Sequence, residues 1–163
     1  MKLFLLRHTE AEPSGSDDKR ALSARGRDTV RELGRFLSER SARLPSTFEH
    51  SSLLRARQTA EILAESLGRG INCRERDGLT PSDDVGALAE QLAGEQEDRL
   101  WVGHEPHLGM LASLLVCQDP YAGAFAMRKG SLLCLERGIA VRPGSGPFSR
   151  WVVNGLVSPS FPD

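Results

Sequence analysis

"LFLLRHTEA" (residues 3–11) sets the reading of this chain. Four apolar residues, Leu3 to Leu6, have the look of a buried strand, and they run directly into an arginine and a histidine. A strand that ends in the middle of a sheet normally stops at a turn residue. Two cationic or titratable side chains in that place need a partner, and an anion is the obvious one.

The stretches around it supply the fold class. Short apolar runs alternate with longer segments of helical period, which predicts α/β architecture. The expected form is a three-layer α/β/α sandwich, a mainly parallel central sheet flanked by helices. Ser23 is placed to cap a helix with Val30, Leu33 and Leu37 on one face, and Pro45 closes that region. Thr47 to His50 reads as a weak second strand. Ser51 or Ser52 then caps a helix carrying Ala56, Ala60, Leu63 and Leu67 on one side, with Gly68 at its end. Asp83 and Asp84 precede a third helix with Val85, Leu88 and Leu92 inward. Leu100-Trp101-Val102 is a buried strand, Leu108, Leu111 and Leu115 mark a fourth helix, and Ser131–Glu136 and Arg150–Val153 form a closing pair of strands around a Pro/Gly-rich turn. No linker, repeat or low-complexity segment divides the 163 residues, so one domain is expected over 1–163.

Composition narrows the partners. With 21 basic and 22 acidic residues the formal charge is -1, which argues against a nucleic-acid surface. Cys73, Cys117 and Cys134 are odd in number and sit in or beside apolar runs, a pattern of buried free thiols in a reducing compartment. The first apolar run is too short for a signal peptide and no stretch approaches membrane-spanning length, so a cytoplasmic protein without a membrane partner is expected, as a monomer or weak dimer.

Three strand exits bear chemistry: Arg7-His8, "SSLLRARQTAE" (51–61) and "VGHEPH" (102–107). Ligands in open α/β sheets bind beyond the carboxyl ends of the strands, so Arg7, His8, Arg55, Arg57 and His104 are candidates for one pocket. Guanidiniums that grip oxygens in pairs, imidazoles able to attack or to stabilise charge, and the free N–H groups of a helix start make that pocket a phosphate site.

"LLRHTEA", "LSARG", "SSLLRARQTAE" and "VGHEPHL", in that order and spacing, resemble the histidine phosphatase, or phosphoglycerate-mutase-like, superfamily, and the length resembles its short bacterial phosphohistidine phosphatases of the SixA type. The resemblance covers most of residues 1–118. It implies that His8 is the nucleophile that takes up the phosphoryl group, that Arg7 and Arg55 clamp it, and that His104 completes the pocket. It further implies that Arg20, facing the incoming phosphate, and Thr9, beside the nucleophile, bind substrate, whereas Arg57 matches no catalytic position and reads as part of a solvated helix face. Thr9 stands where the family usually has glycine, and Ser52 where proline is common. Larger members hold a glutamate general acid near the position of Pro81, which this chain lacks; Asp83 and Glu10 are the candidates to replace it.

The function implied is a phosphatase needing neither metal nor cofactor and acting on a phosphohistidine-bearing signalling or phosphotransfer protein. A broad small-molecule phosphomonoesterase and a non-catalytic phosphate-binding domain are the alternatives. A mutase fits poorly, since the chain has no insertion to hold a bisphosphate. His104 and His107 lack the companions of a closed metal site, and His107 and His50 read as structural or rim residues.

Overall fold

The computed structural model describes residues 1–68, 70–138 and 151–159. In chain order these form β1 (Lys2–Arg7), α1 (Ala24–Glu39), β2 (Thr47–His50), α2 (Leu54–Leu67), β3 (Asn72–Glu75), α3 (Val85–Gly94), β4 (Arg99–Gly103), α4 (His107–Cys117), β5 (Leu132–Arg137) and β6 (Trp151–Val157), with a short 3₁₀ turn at Asp17–Lys19. The strands make one six-stranded sheet in the order β3-β2-β4-β1-β5-β6. β1, β2, β3 and β4 pair in parallel, and β5 and β6 add antiparallel strands at one side.

The period-two geometry of a strand explains the layering. Along β1, Leu3 and Leu5 enter one core with Leu88, Leu92, Leu108 and Leu111, on the side of α3 and α4. Phe4 and Leu6 enter the other, with Val30, Leu33, Leu37, Ala56 and Leu63 from α1 and α2. A strand buried on both faces is apolar at every position, which is why Leu3 to Leu6 reads as an unbroken run.

Several boundaries differ from the sequence expectation. β3 was not expected: its Asn-Cys-Arg-Glu sequence is polar because it lies at the sheet edge, largely exposed. The cap of α2 is Leu53, which makes no side-chain capping bond, and neither Ser51 nor Ser52 takes that place. The Ser51 hydroxyl is engaged elsewhere, as described below. Asp84 caps α3 by accepting the Gly86 N–H at 2.8 Å, while Asp83 caps the preceding turn through the Thr80 N–H at 2.7 Å. β6 runs on to Val157, beyond the expected Val153. Arg150 and the Pro/Gly-rich turn before it lie outside the described residues. All three cysteines are free, as expected, but Cys117 is exposed and Cys73 and Cys134 are only half-buried.

Two glycines fix the loops that carry the site. Gly26, in the first turn of α1, lies against the loop after β1, and a Cβ there would fall 2.1 Å from the Glu10 carbonyl oxygen. Gly109 in α4 leaves the same kind of room, since its Cβ would lie 2.6 Å from the Phe125 carbonyl and 2.8 Å from Glu105 Oε2.

Candidate functional site

Parallel pairing decides where the chemistry lies. Arg7 is in register with Gly103 and His50 with Val102, so β1, β2 and β4 end together on one edge of the sheet. The next residues are His8, Ser51 and His104. The His8 N–H donates to the Gly103 carbonyl at 3.0 Å and the Ser51 N–H to that of Val102 at 3.1 Å, carrying the pairing one step past each strand. The imidazoles of His8 and His104 then face each other, ring centroids 4.9 Å apart.

His8 is buried, and its Nδ1 lies 2.6 Å from the Thr9 carbonyl oxygen. A carbonyl only accepts, so Nδ1 carries the proton and Nε2 keeps its lone pair. Burial lowers the His8 pKa to about 4 against the pull of the Thr9 carbonyl, and Arg55, Arg7 and Lys129 press in the same downward direction. The ring is therefore neutral at pH 7. Burial, then the neighbouring His8 and Arg55, lower His104 to about 3. Its Nε2 is 2.6 Å from Ser51 Oγ, which also accepts the Leu53 N–H at 3.4 Å, and its Nδ1 has no partner among the described residues.

The arginines arrive from different elements. Arg7 ends β1 and donates from Nη1 to the Met127 carbonyl at 2.7 Å. Burial lowers its pKa and Glu105 partly restores it. Arg55 is buried in the first turn of α2, where its own carbonyl accepts the Thr59 hydroxyl at 2.7 Å, and Thr59 Oγ1 in turn accepts the Thr9 N–H at 3.4 Å. Its guanidinium donates to the Asp17 carbonyl at 2.6 Å and to the Asp17 carboxylate at 3.1 Å. Arg20 reaches the other oxygen of that carboxylate at 3.2 Å. Arg20 is thus joined to the group through Asp17, an acceptor that sequence reading did not single out.

The structure brings Arg7, His8, Arg55 and His104 together with Thr9, which is buried with its hydroxyl unpartnered among the described residues. Arg57 stays outside, exposed and paired with Glu61 at 2.8 Å on the next turn of α2. Glu10 accepts the Ser23 hydroxyl at 2.9 Å, and Asp83 is committed to its turn. His50 and His107 are both buried. Glu105 is a second carboxylate missed by sequence reading. It accepts the Met127 N–H at 3.1 Å, so the Met127 peptide joins Glu105 on one side to Arg7 on the other, and burial raises its pKa. Its signal was present: it follows His104 directly in "VGHEPHL".

An α/β sheet whose three parallel strand ends present paired arginines and neutral, buried imidazoles defines a protein built to receive an anionic group. The model of the histidine phosphatase superfamily (branch 1) matches residues 3–99, and the chain belongs to that superfamily. An uncharacterized protein of Picosynechococcus sp. is 32% identical over 125 residues, 71% of this chain and 73% of that one. In fold, the chain is similar to the protein histidine phosphatase SixA solved with tungstate (TM-score 0.81, 23% identity, 98% of this chain and 97% of the other). It is also similar to mycobacterial glucosyl-3-phosphoglycerate phosphatase (TM-score 0.69, 17% identity, 94% and 96%). No helix among the described residues is long and apolar enough to cross a membrane.

Proposed function

We propose that this protein is a phosphatase that hydrolyses protein phosphohistidine through a phosphorylated His8. Membership of the superfamily supports phosphatase activity. The observation that carries the reading is the Nδ1–carbonyl bond of His8, which fixes the tautomer and leaves Nε2 free in a ring that burial keeps neutral. Arg7 and Arg55 offer guanidinium donors for the phosphoryl oxygens, and His104, its ring centroid 4.9 Å from that of His8, adds an Nδ1 with no partner among the described residues. The incoming phosphate would compete with Asp17 for Arg55, and Arg20 would hold the displaced carboxylate.

The reaction takes two displacements. His8 Nε2 attacks phosphorus, a new P–N bond forms, and the bond to the leaving group breaks with its electron pair passing to that group. Water then attacks the phosphoryl-His8, releases inorganic phosphate and restores the lone pair. A phosphohistidine protonated on its other ring nitrogen departs as neutral imidazole, whose conjugate acid has a pKa near ~6.5, whereas a serine ester would leave as a strongly basic alkoxide. Asp83 and Glu10 already accept bonds from the protein, and Pro81 stands where larger relatives carry their acid. That set favours the good leaving group.

Small phosphate esters are the second reading, and Glu105 favours it. Burial shifts this carboxyl toward its protonated form beside Arg7, the direction a proton donor needs. The test is kcat/KM for a phosphohistidine peptide, an activated aryl phosphate and phosphoserine. We expect the first to exceed the last by at least about 100-fold, with the aryl ester between. Equal values, together with loss of phosphoserine turnover in Glu105→Gln, would replace this reading with the broad phosphomonoesterase.

A further inference from the structure

Beside the pocket, and opening from it through Arg7 and Thr9, lies a cleft of about 340 Å³. Among its described lining residues Arg7, Arg25 and Lys129 stand against the carboxylate of Glu10. Glu10 is turned to the Ser23 hydroxyl at 2.9 Å. Arg25 and Lys129 form no ion pair with any described residue. This concentration of cations stands on a chain whose overall balance is -1, so it does not follow from composition.

Arg25 stands where helix electrostatics oppose it. It is the second residue of α1, at the helix end that carries positive partial charge, where an acidic residue is favoured and a cation opposed. Lys129 comes from the other wall, on the segment that Met127 ties to Arg7 and Glu105. Lys129 lies close enough to His8 to act on its charge, so the cleft and the reacting centre share one field. Cations gathered from two separate segments around an open cleft, with the local carboxylate engaged elsewhere, are arranged for an anion supplied from outside.

We infer that this cleft binds a second anionic group of the substrate, a carboxylate or phosphate carried next to the scissile phosphoryl group. The inference rests on the phosphatase reading and adds a specificity element to it. The same chemistry has two sources: acidic side chains flanking the phosphorylated histidine of a protein, or the anionic remainder of a small phosphate ester. Attraction of this kind weakens with salt, as contacts between exposed charges do.

Binding of non-hydrolysable probes isolates the cleft from turnover. Calorimetric titration with phenylphosphonate and with 3-carboxyphenylphosphonate should favour the carboxylate-bearing probe by about tenfold, and this ratio should fall toward one at high salt. In Arg25→Glu the ratio should be one or less. A glutamate in the first turn suits the helix, so this variant should keep its melting temperature; Arg25→Gln, with an intermediate ratio, serves as the second variant. A wild-type ratio near one, or a ratio unchanged in both variants, overturns the inference.

Turnover identifies the source. A lower KM for a glutamate-flanked phosphohistidine peptide than for its glutamine-flanked counterpart assigns the anion to a protein, and a gain confined to carboxyaryl phosphate over aryl phosphate assigns it to a small molecule. A gain in neither class overturns the inference. Absence of turnover on every substrate, with the phosphonate ratio intact, would reject the phosphatase reading and leave the cleft standing.

Discussion

Two buried polar regions flank the course of β2, and they handle charge differently. Glu49 sits on the strand, buried, and both of its oxygens are taken: Oε1 by Arg74 at 2.7 Å and Arg76 at 3.4 Å, Oε2 by the Trp101 indole N–H at 2.8 Å. Arg76 also lies over the Trp101 ring, 4.8 Å from its centroid. Past the end of the same strand lies the pocket of His8, His104, Arg7 and Arg55, where His104 Nδ1 and the neighbouring Thr9 Oγ1 have no partner among the described residues. In the first region the chain supplies the counter-charge itself. In the second the imidazoles are kept neutral, two buried polar atoms are left unanswered, and Arg55 is held by Asp17, an exposed carboxylate that a stronger anion could displace. A buried charge answered from within is read as structure, and one left open to a partner from outside is read as function.

Substitutions can break this contrast, because each region should fail in its own way. His8→Ala should reduce kcat/KM on the order of 10⁴-fold or more, about 5 kcal/mol of transition-state stabilisation, with little change in melting temperature. Glu49→Ala should do the reverse. Removing it leaves the Trp101 N–H without its acceptor and takes the carboxylate from Arg74 and from Nη1 of Arg76, at a cost of about 3 kcal/mol of stability, while the rate per folded molecule stays within a few-fold. Chemical denaturation beside activity measurements separates the two. A large activity loss at undiminished stability in Glu49→Ala would erase the distinction.

Arg55→Lys keeps the charge but loses the planar pair of donors that meets Asp17 and would meet a phosphoryl group. We expect a loss of more than tenfold, roughly 1.4 kcal/mol or more, in kcat/KM. Acid should sharpen the contrast further. His8 attacks only when neutral, so kcat/KM in free enzyme should fall as pH drops through about 4 and be flat from there to neutrality. Stability has a different window. The folded-state pKa of His8 is depressed below the unfolded value of ~6.5, so between those values the unfolded chain binds the extra proton. Stability is full above about 6.5 and declines as pH falls toward about 4, with a slope near ~1.4 kcal/mol per pH unit from this residue; His104 adds to it in the same direction. Fluorescence melts across that range check the sign. The smallest effect belongs to Arg57→Lys, where an exposed pair with Glu61 is at stake and the rate should stay within twofold.

Much of this was legible in the sequence because burial on both faces writes itself as apolar runs. Leu3 to Leu6 and Leu100 to Val102 could be placed as strands on that ground alone, and the side chains just past them could be named as candidates. β3 was not legible, since an exposed edge strand has no face to bury and carries no apolar pattern. Ser51 misled for a related reason. Its type and position suit a helix cap, and only the fold reveals that the cap position falls on Leu53 and that the Ser51 hydroxyl pairs with His104, 53 residues on. Asp17 and Glu105 were passed over because an acidic residue in a loop resembles any surface charge until a distant arginine or backbone N–H is brought against it.

The most direct test of the central claim is a rapid quench of the enzyme with ³²P-labelled phosphohistidine peptide. A labelled phosphoryl group that is acid-labile and base-stable, mapped to His8 and absent from His8→Ala, is the expected result. Label of equal amount in His8→Ala, or turnover with no trapped label on any histidine, would contradict the account.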